Sequence, residues 1–308
     1  MNFKGISYYS GLFCFPISIL AFINILYSSY FDYFLSITSY VTTLGVSFVI
    51  GSSLLFLGRH AKKRINFIEQ LLLIIFVYLL VSFFIALPFY LSNYQVTFLN
   101  AMFEATSGTT GTGFSIFKNI KYLDPTLILW RSSSQWIGGL YFLFFLILIF
   151  SNKQFNYKMN DLTHSGDGRI NSESNIKDLL SKIFIFYSLL SFIIFLLLNI
   201  SDVRMFNSLN LSMSLVSAGG FIPTNSLSKI IYSNPQKIIF IFSLLFSMLN
   251  FFLILNIFEK KIIIREHKED FYLLFISFIF ILLVYLNNFS GLNIIISVLS
   301  SLSNSGLA

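Results

Sequence analysis

The stretch Phe103–Ser115, which reads FEATSGTTGTGFS, places three Gly, four Thr, two Ser and one Glu inside a very hydrophobic chain. Of the 308 residues, 56% are hydrophobic, 11% are charged and 39 are Phe. This composition is far outside the range of soluble domains and predicts a membrane protein. The polar stretch therefore needs an explanation other than lipid contact.

Cysteine and histidine usage argues against a metalloenzyme. The chain has one cysteine, Cys14, which excludes an intrachain disulfide and a cysteine-based zinc site. Its three histidines, His60, His164 and His267, fall in separate hydrophilic segments. The predicted spans contain no nucleophile–base pair, phosphate loop or metal-ligand cluster, so we expect neither an enzyme nor a bound cofactor.

Hydropathy predicts seven spans, each long enough for a membrane core of about 30 Å at about 1.5 Å per residue. The predicted spans are 9–27, 33–58, 66–92, 126–150, 178–200, 235–258 and 271–288. With the N-terminus inside, fourteen of the twenty Lys and Arg lie in the cytoplasm, five lie outside, and Arg131 lies in a helix. The positive-inside rule supports this orientation. The net charge of +7 is thus explained by topology, and we expect no nucleic-acid partner.

Three segments on the predicted outer side are too short and too polar to cross, namely 97–115, 205–224 and 292–308. Each opens with a short amphipathic stretch and continues into small residues with glycine. Non-helical backbone cannot face lipid, so such loops must be buried or line a watery cavity. We predict re-entrant half-helices whose glycine loops turn carbonyl oxygens toward a central axis, where they replace the hydration shell of a cation. The alternative is ordinary extracellular loops rich in turn residues.

The chain resembles the Trk/Ktr/HKT superfamily of potassium transporters, and TrkH-type subunits in particular. IALPFYLS, FEATSGTTGTGFS and LILWRSSSQWIGGLYFLFF are similar, in order and spacing, to the family's "ALPF", "FEAxSGFTTTGxS" and "LLWRSLLQWIGGMG". LSMSLVSAGGFIPTN is similar to "SMSTISTGGFST", and SSLSNSGLA resembles a third filter loosely. The first loop reads GTTGTG at 108–113 where the family pattern reads GFTTTG, and Ala218 stands where the family has Thr. Gly113 matches the pattern of potassium-permeable members.

The resemblance implies an all-α membrane protein in which two leading helices precede helix–pore loop–helix repeats around a pseudo-fourfold pore. The predicted divisions are two N-terminal transmembrane helices (1–65), a first pore unit (66–177), a second pore unit (178–268) and a partial third unit (269–308). Because the family has four such units, we expect a chain truncated within the third.

The resemblance also implies a selectivity filter of backbone oxygens, with potassium held at these carbonyls only. The implied filter residues are Thr110, Thr112, Gly113, Ala218, Gly219, Gly220, Ser305 and Gly306. Gly113, Gly219 and Gly306 are the preferred filter glycines, preceded by Thr112, Ala218 and Ser305. A shift of one residue in the second loop would exchange Gly219 for Gly220.

Four residues are candidates for supporting the filter. Glu104 could concentrate cations at the pore mouth or anchor the half-helix through hydrogen bonds, and we favour the anchor. Arg131 is costly within a span. It could snorkel to the outer interface or be buried as a support for the filter, and the resemblance favours burial. Gly138 and Gly139 are expected to permit close helix packing.

The resemblance implies potassium uptake across a bacterial cytoplasmic membrane, driven by membrane potential. It also implies contact with lipid, a homodimer and a cytosolic nucleotide-binding TrkA-type regulatory subunit. The loop 151–177 could dock that subunit or be solvated surface. Two alternatives stay open: a secondary transporter of another fold with broken helices, and a non-transporting truncated remnant or membrane scaffold.

Overall fold

The computed structural model describes residues 2–33, 37–61, 65–150, 173–258, 268–286 and 291–307. Within these ranges the regular secondary structure is helical, which confirms the predicted all-α class. The helices are α1 (Phe3–Tyr30), α2 (Ile37–Gly58), α3 (Phe67–Tyr90), α4 (Phe98–Thr109), α5 (Pro125–Phe150), α6 (Glu173–Ile200), α7 (Met205–Val216), α8 (Asn234–Met248), α9 (Phe251–Phe258), α10 (Lys268–Leu286) and α11 (Leu292–Leu302).

The helices include long ones that could cross a membrane and three short ones at the predicted pore loops. In the part of the chain that the structure describes, six helices are long and apolar enough to cross a membrane, namely α1, α2, α3, α5, α6 and α10. In contrast, α4 and α7 have 12 residues each and α11 has 11. At about 1.5 Å per residue these three extend about 18 Å, well short of a bilayer core of about 30 Å. Their lengths agree with the predicted half-helices.

The prediction of one continuous span at 235–258 is wrong, because the helix is interrupted at Leu249 and Asn250. Leu249 has extended dihedral angles (φ −74°, ψ 153°). The Asn250 amide donates a hydrogen bond to Asp270 Oδ1 at 2.9 Å, and the Asn250 side chain accepts one from the Phe252 amide at 3.0 Å. The interruption thus has its own polar partners. A single asparagine in a long apolar run does not lower hydropathy enough to reveal it.

The chain divides into two compact units. The first unit comprises Met1–Thr110 and Phe114–Gln154, and the second comprises Gly111–Gly113 and Phe155–Ala308. In the first unit, α1 and α2 approach so closely that a Cβ added to Gly11 would lie 2.8 Å from the Gly51 carbonyl oxygen. The Ser18 and Ser47 hydroxyls share a 2.7 Å hydrogen bond between the same helices. Small and hydroxylated residues are typical of helix contacts in membranes.

Helix α5 is held in the first unit by hydrogen bonds to α3 and α1. The indole nitrogen of Trp130 donates to the Ile85 carbonyl oxygen at 3.0 Å, and the Tyr141 hydroxyl donates to the Phe13 carbonyl oxygen at 2.7 Å. Each donor is buried and pairs with a backbone oxygen of another helix. These bonds tie α5 to two neighbouring helices of the unit.

The second unit has an apolar core to which α6, α7, α8 and α11 contribute. Its buried members include Leu198, Leu211, Leu215, Phe240, Leu244 and Leu299. Both half-helices of this unit, α7 and α11, bury apolar side chains in the core. The loops that follow them therefore start from well-packed helix ends.

Candidate ion-filter site

The three half-helices end in the same backbone conformation. The residue that caps each helix has φ between −90° and −74° and ψ near 0°, and the next residue has a positive φ. These pairs are Thr110 with Gly111 (φ +69°), Ser217 with Ala218 (φ +51°) and Ser303 with Asn304 (φ +58°). A left-handed residue after the cap is a common way to end a helix, and it is usually Gly or Asn. Ala218 is thus the unusual member of the set.

Counting from the cap aligns the three loops residue by residue. Three positions after Thr110, Ser217 and Ser303, the chain has Gly113, Gly220 and Gly306, respectively. Gly219 is the predicted filter glycine of the second loop, but this alignment places Gly220 at the common position. Ala218 correspondingly aligns with Gly111, and Gly219 aligns with Thr112 and Ser305. Gly113 and Gly306 have positive φ values of +80° and +58°, whereas Gly220 does not.

Residues of all three loops come together inside the second unit, to which Gly111–Gly113 belongs. A Cβ added to Gly113 would lie 2.6 Å from the Gly220 Cα, and one added to Gly220 would lie 2.7 Å from the Ser305 carbonyl oxygen. Both distances are shorter than a carbon atom can tolerate without displacement of its neighbour. The backbones at these positions are therefore in direct contact, and only glycine fits at Gly113 and Gly220.

The remaining predicted filter residues differ in their surroundings. Thr112 and Gly306 are exposed, and the exposed Thr110 donates its hydroxyl to the Thr106 carbonyl oxygen of its own helix at 2.7 Å. The Gly219 carbonyl oxygen accepts a 2.8 Å hydrogen bond from the Ser214 hydroxyl. The Ser305 hydroxyl is buried and shares a 2.8 Å hydrogen bond with that of Ser303. The three loops therefore share the backbone conformation at the helix end, while these particular side chains differ in their contacts.

Glu104 lies inside the first unit, where protein donors surround its carboxylate. Oε1 accepts hydrogen bonds from Arg131 Nε at 2.7 Å and from the Ser115 hydroxyl at 3.0 Å. Oε2 accepts from the Ile116 amide at 2.9 Å. The carboxylate therefore joins the half-helix to α5 and to the chain that leaves the loop. This geometry favours the anchoring role over a carboxylate exposed at a pore mouth.

Arg131 is buried beside Glu104, with 1% of its side chain exposed. Its Nη2 donates to the Ser115 hydroxyl at 3.0 Å, and its guanidinium carbon lies 5.9 Å from the centre of the Phe117 ring. Burial opposes the snorkelling alternative. A charged group is tolerated at such a position because an opposite charge and further hydrogen bonds accompany it.

Gly138 brings α5 against the end of the first half-helix. A Cβ at this position would lie 2.1 Å from the Thr109 carbonyl oxygen, so the two backbones touch. On its other side, Thr109 shares a 2.9 Å hydrogen bond with the Ser82 hydroxyl of α3. Gly138 is buried and Gly139 is half-buried. The close packing expected of this glycine pair is thus seen in detail at Gly138.

Three serines that were not predicted as site residues, Ser107, Ser214 and Ser300, lie at one position of the half-helices. Each lies three residues before the cap, and each hydroxyl contacts backbone of its own loop. The Ser107 hydroxyl donates to the Phe114 carbonyl oxygen at 2.6 Å, that of Ser214 donates to the Gly219 carbonyl oxygen at 2.8 Å, and that of Ser300 accepts from the Leu307 amide at 2.7 Å. Aligning the loops on Gly220 reveals the signal, a repeated Ser-x-x-[Ser/Thr]-x-x-Gly-[Phe/Leu].

Two further expectations concern metal ligands and the docking loop. Among the residues with described structure, no group of three or more His, Cys, Asp or Glu could hold a metal ion. Most of the predicted docking loop 151–177 lies outside the described residues. The loops themselves offer backbone oxygens and hydroxyl groups at helix ends, a chemistry that suits an ion that carbonyls can hold.

Comparison with known proteins identifies relatives that are named as transporters. An uncharacterized cation transporter of Methanocaldococcus jannaschii is 30% identical over 162 residues, covering 50% of this chain and 33% of the relative. The Trk system potassium uptake protein TrkG of Escherichia coli is 25% identical over 257 residues, covering 78% of this chain and 50% of the relative. The chain thus spans about a third to a half of the length of these relatives.

A solved structure and a family model support the same relationship. The crystal structure of the potassium transporter TrkH from Vibrio parahaemolyticus matches with a TM-score of 0.79 at 19% identity, covering 99% of this chain and 64% of that chain. This likeness shows a shared fold. The model of the TrkH family, described as a cation transport protein, matches residues 36–308. The chain therefore belongs to the TrkH family of cation transport proteins.

Proposed function

We propose that this chain contributes to potassium uptake across a membrane through a filter of backbone carbonyls at the ends of α4, α7 and α11. The observation that carries the proposal is the meeting of Gly113, Gly220 and Ser305 inside one compact unit. Each of these residues follows the C-terminal end of a half-helix. Such ends carry partial negative charge and favour a cation.

The chemistry of the loops suits a dehydrated monovalent cation. The filter segments 110–113, 217–220 and 303–306 contain no charged side chain. A cation there would be bound by carbonyl oxygens and hydroxyls, which replace water around potassium. The one carboxylate nearby in sequence, Glu104, is already paired with Arg131. Gly113, the residue that matches potassium-permeable members, supports potassium over sodium.

Passage through such a filter requires no covalent step. An inward cation current is driven by the membrane potential, which is worth about 2.3 kcal/mol per elementary charge per 100 mV. The glycines keep the path free of side chains, and the buried Glu104–Arg131 pair holds the first loop in place. In this proposal the protein supplies binding geometry and the membrane supplies energy.

The setting we propose is the bacterial cytoplasmic membrane, with the N-terminus in the cytoplasm and pore units at 66–177, 178–268 and 269–308. The excess of Lys and Arg on the predicted cytoplasmic side supports this orientation. The names of relatives such as TrkG place those proteins in Trk systems. We accordingly propose a homodimer in contact with lipid and a cytosolic TrkA-type regulatory subunit as partners.

Two other functions make different predictions. A secondary transporter of another fold is disfavoured by the TrkH-like fold of the chain. A non-transporting membrane scaffold is the other rival. It predicts that the 308-residue chain inserts into membranes and that neither this chain nor the product of the full reading frame transports potassium.

Growth of potassium-uptake-deficient bacteria at low potassium tests the proposal. We expect the protein expressed from its full reading frame to restore growth and rubidium uptake. The 308-residue chain, expressed separately in the same assay, shows whether it restores growth by itself. Gly113→Arg should abolish rescue, because a long cationic side chain would enter a space that cannot hold a Cβ. Gly45→Ala serves as the control, since no neighbouring atom lies within 4 Å of a Cβ added there. Good membrane expression without rescue, or rescue that survives Gly113→Arg, would contradict the proposal.

A further inference from the structure

We propose that Ser107, Ser214 and Ser300 are positioning residues that hold the three loops, and that their hydroxyls thereby determine the cation preference of the filter. This inference rests on the proposed function, because it assigns the serines to the same filter. It concerns residues beside the ion path rather than residues that contact the ion.

The three serines share one position and one environment. Each lies three residues before the cap of its helix. The exposed fractions of Ser107, Ser214 and Ser300 are 5%, 0% and 1%, respectively. Each is followed at the same spacing by the aligned glycine, Gly113, Gly220 or Gly306. The recurrence of one small polar residue at one buried position in three otherwise different loops favours a common role.

The hydroxyl groups of these serines bond toward the following loop, whereas those of many helical serines bond back to the preceding turn. A serine inside a helix commonly donates to a carbonyl of the preceding turn. Ser212, which lies on the same half-helix as Ser214 and is 1% exposed, does this by donating to the Leu209 carbonyl oxygen at 2.9 Å. Ser107, Ser214 and Ser300 instead make hydrogen bonds to residues that follow them by five to seven positions. Their hydroxyls therefore connect the helix end to the loop.

At two loops the serine backbone reinforces the same connection. The Ser214 carbonyl oxygen accepts from the Gly219 amide at 2.8 Å, while the Ser214 hydroxyl donates to the Gly219 carbonyl oxygen. The Ser300 carbonyl oxygen accepts from the Ser305 and Gly306 amides, both at 3.2 Å. Ser214 thus holds both backbone groups of Gly219, and Ser300 holds three successive amides, those of Ser305, Gly306 and Leu307. The backbone contribution survives any substitution, so a change of side chain tests the hydroxyl alone.

Holding one carbonyl orients the adjoining peptide plane. The peptide unit is planar, so a hydrogen bond to the Gly219 carbonyl oxygen also determines the direction of the Gly220 amide. In the first loop the group held is the Phe114 carbonyl oxygen, and in the third loop it is the Leu307 amide, whose peptide plane includes the Gly306 carbonyl. Ion selectivity by carbonyls depends on how many oxygens face the ion and how strongly they are fixed. Loss of a hydroxyl should therefore relax selectivity before it abolishes conduction.

The decisive comparison uses Ser214→Ala, Ser214→Thr and Ser212→Ala in the protein expressed from its full reading frame. Uptake assays would measure the KM for rubidium and the concentration of sodium that inhibits uptake by half. We expect Ser214→Ala to raise the KM about 3- to 10-fold, the range for loss of one buried hydrogen bond, and to strengthen inhibition by sodium. Ser214→Thr, which keeps a hydroxyl, should recover most of the difference, and Ser212→Ala should match the wild type.

Hydrogen–deuterium exchange of the purified proteins provides a readout that does not depend on transport. Ser214→Ala should accelerate exchange in peptides that cover 217–224, and Ser212→Ala should leave those peptides unchanged. Wild-type exchange together with wild-type cation preference in Ser214→Ala would overturn the inference. If the wild-type protein fails to take up rubidium, the proposed function is contradicted. The exchange data then decide separately whether the serine holds the loop.

Discussion

Arg131 Nε lies 2.7 Å from Glu104 Oε1, and the two side chains are 1% and 0% exposed. The pair joins α5 to α4, and through Ser115 and Ile116 the same carboxylate reaches the chain that leaves the first loop. A buried ion pair adds little net stability, but removing one partner leaves an uncompensated charge. The first loop therefore depends on both members being present.

We expect Arg131→Met to destabilise the protein by about 3–5 kcal/mol, because it leaves Glu104 buried without its cationic partner. Glu104→Gln should also destabilise, by leaving the guanidinium without an opposite charge. The double substitution should cost less than the sum of the two single ones, with a coupling energy of about 0.5–3 kcal/mol. Equilibrium unfolding in mixed micelles measures the free energy of unfolding of the wild type, the two single variants and the double variant.

Arg204→Met is the matched control for this cycle, because Arg204 is exposed. Its effect on stability should stay within about 0.5 kcal/mol. Strictly additive losses in the Glu104 and Arg131 variants would show that the two side chains do not act as a pair.

Gly220→Ala should strongly reduce transport, whereas Gly45→Ala should leave it intact. The added Cβ at Gly220 would lie 2.7 Å from the Ser305 carbonyl oxygen, so the loop must move, whereas a Cβ at Gly45 meets no atom within 4 Å. Rubidium uptake should fall at least about tenfold in the first variant, which corresponds to about 1.4 kcal/mol or more. Alanine in a helix is favoured over glycine by about 0.5–1 kcal/mol, so Gly45→Ala should be neutral or slightly stabilising. Equal uptake by both variants would contradict the contact at Gly220.

The sequence predicted those features that leave a local signature. Half-helices followed by glycine loops stand out because polar, small residues interrupt long apolar runs, as at 97–115 and 205–224. Arg131 stands out because it is a charge within a span, and its burial was expected from the family resemblance. The pairing of Arg131 with Glu104 was not predicted, since 27 positions separate them and only the packing of α5 on α4 brings them together.

Two features required the three-dimensional structure. Hydropathy and the family resemblance do not distinguish the adjacent glycines of the second loop. The Ser-x-x-[Ser/Thr]-x-x-Gly-[Phe/Leu] pattern does, but it becomes visible only after the backbone conformation at the cap has aligned Gly220 with Gly113. The interruption at Asn250 was hidden because its neighbours are apolar, while its partner Asp270 comes from the next long helix. Both depend on backbone geometry or tertiary contacts, which hydropathy does not encode.

Ala218→Gly should stabilise the second loop. Ala218 has a φ of +51°, which costs a non-glycine residue about 1–2 kcal/mol, part of which is offset by the greater freedom of glycine in the unfolded chain. We expect a net gain of about 0.5–1 kcal/mol, seen as a higher melting temperature. Ala105→Gly, inside the first half-helix, should lower stability by a similar or larger amount because the residue is helical and buried. A lower melting temperature in Ala218→Gly would mean that the Ala218 methyl group contributes packing that outweighs its strained backbone.

Asp270→Ala should destabilise the break between α8 and α9, because Asp270 Oδ1 is the acceptor for the Asn250 amide at 2.9 Å and the carboxylate is buried. Removing it leaves the amide without this partner at a cost of about 1–3 kcal/mol. Asp270→Asn keeps an oxygen that can accept the same hydrogen bond, so it should lose less. Glu269→Ala provides the control, since Glu269 lies in the same first turn of α10 and is exposed. The melting temperature should therefore be highest for Glu269→Ala, lower for Asp270→Asn and lowest for Asp270→Ala. Equal values for the two Asp270 variants would show that an acceptor oxygen at this position does not stabilise the break.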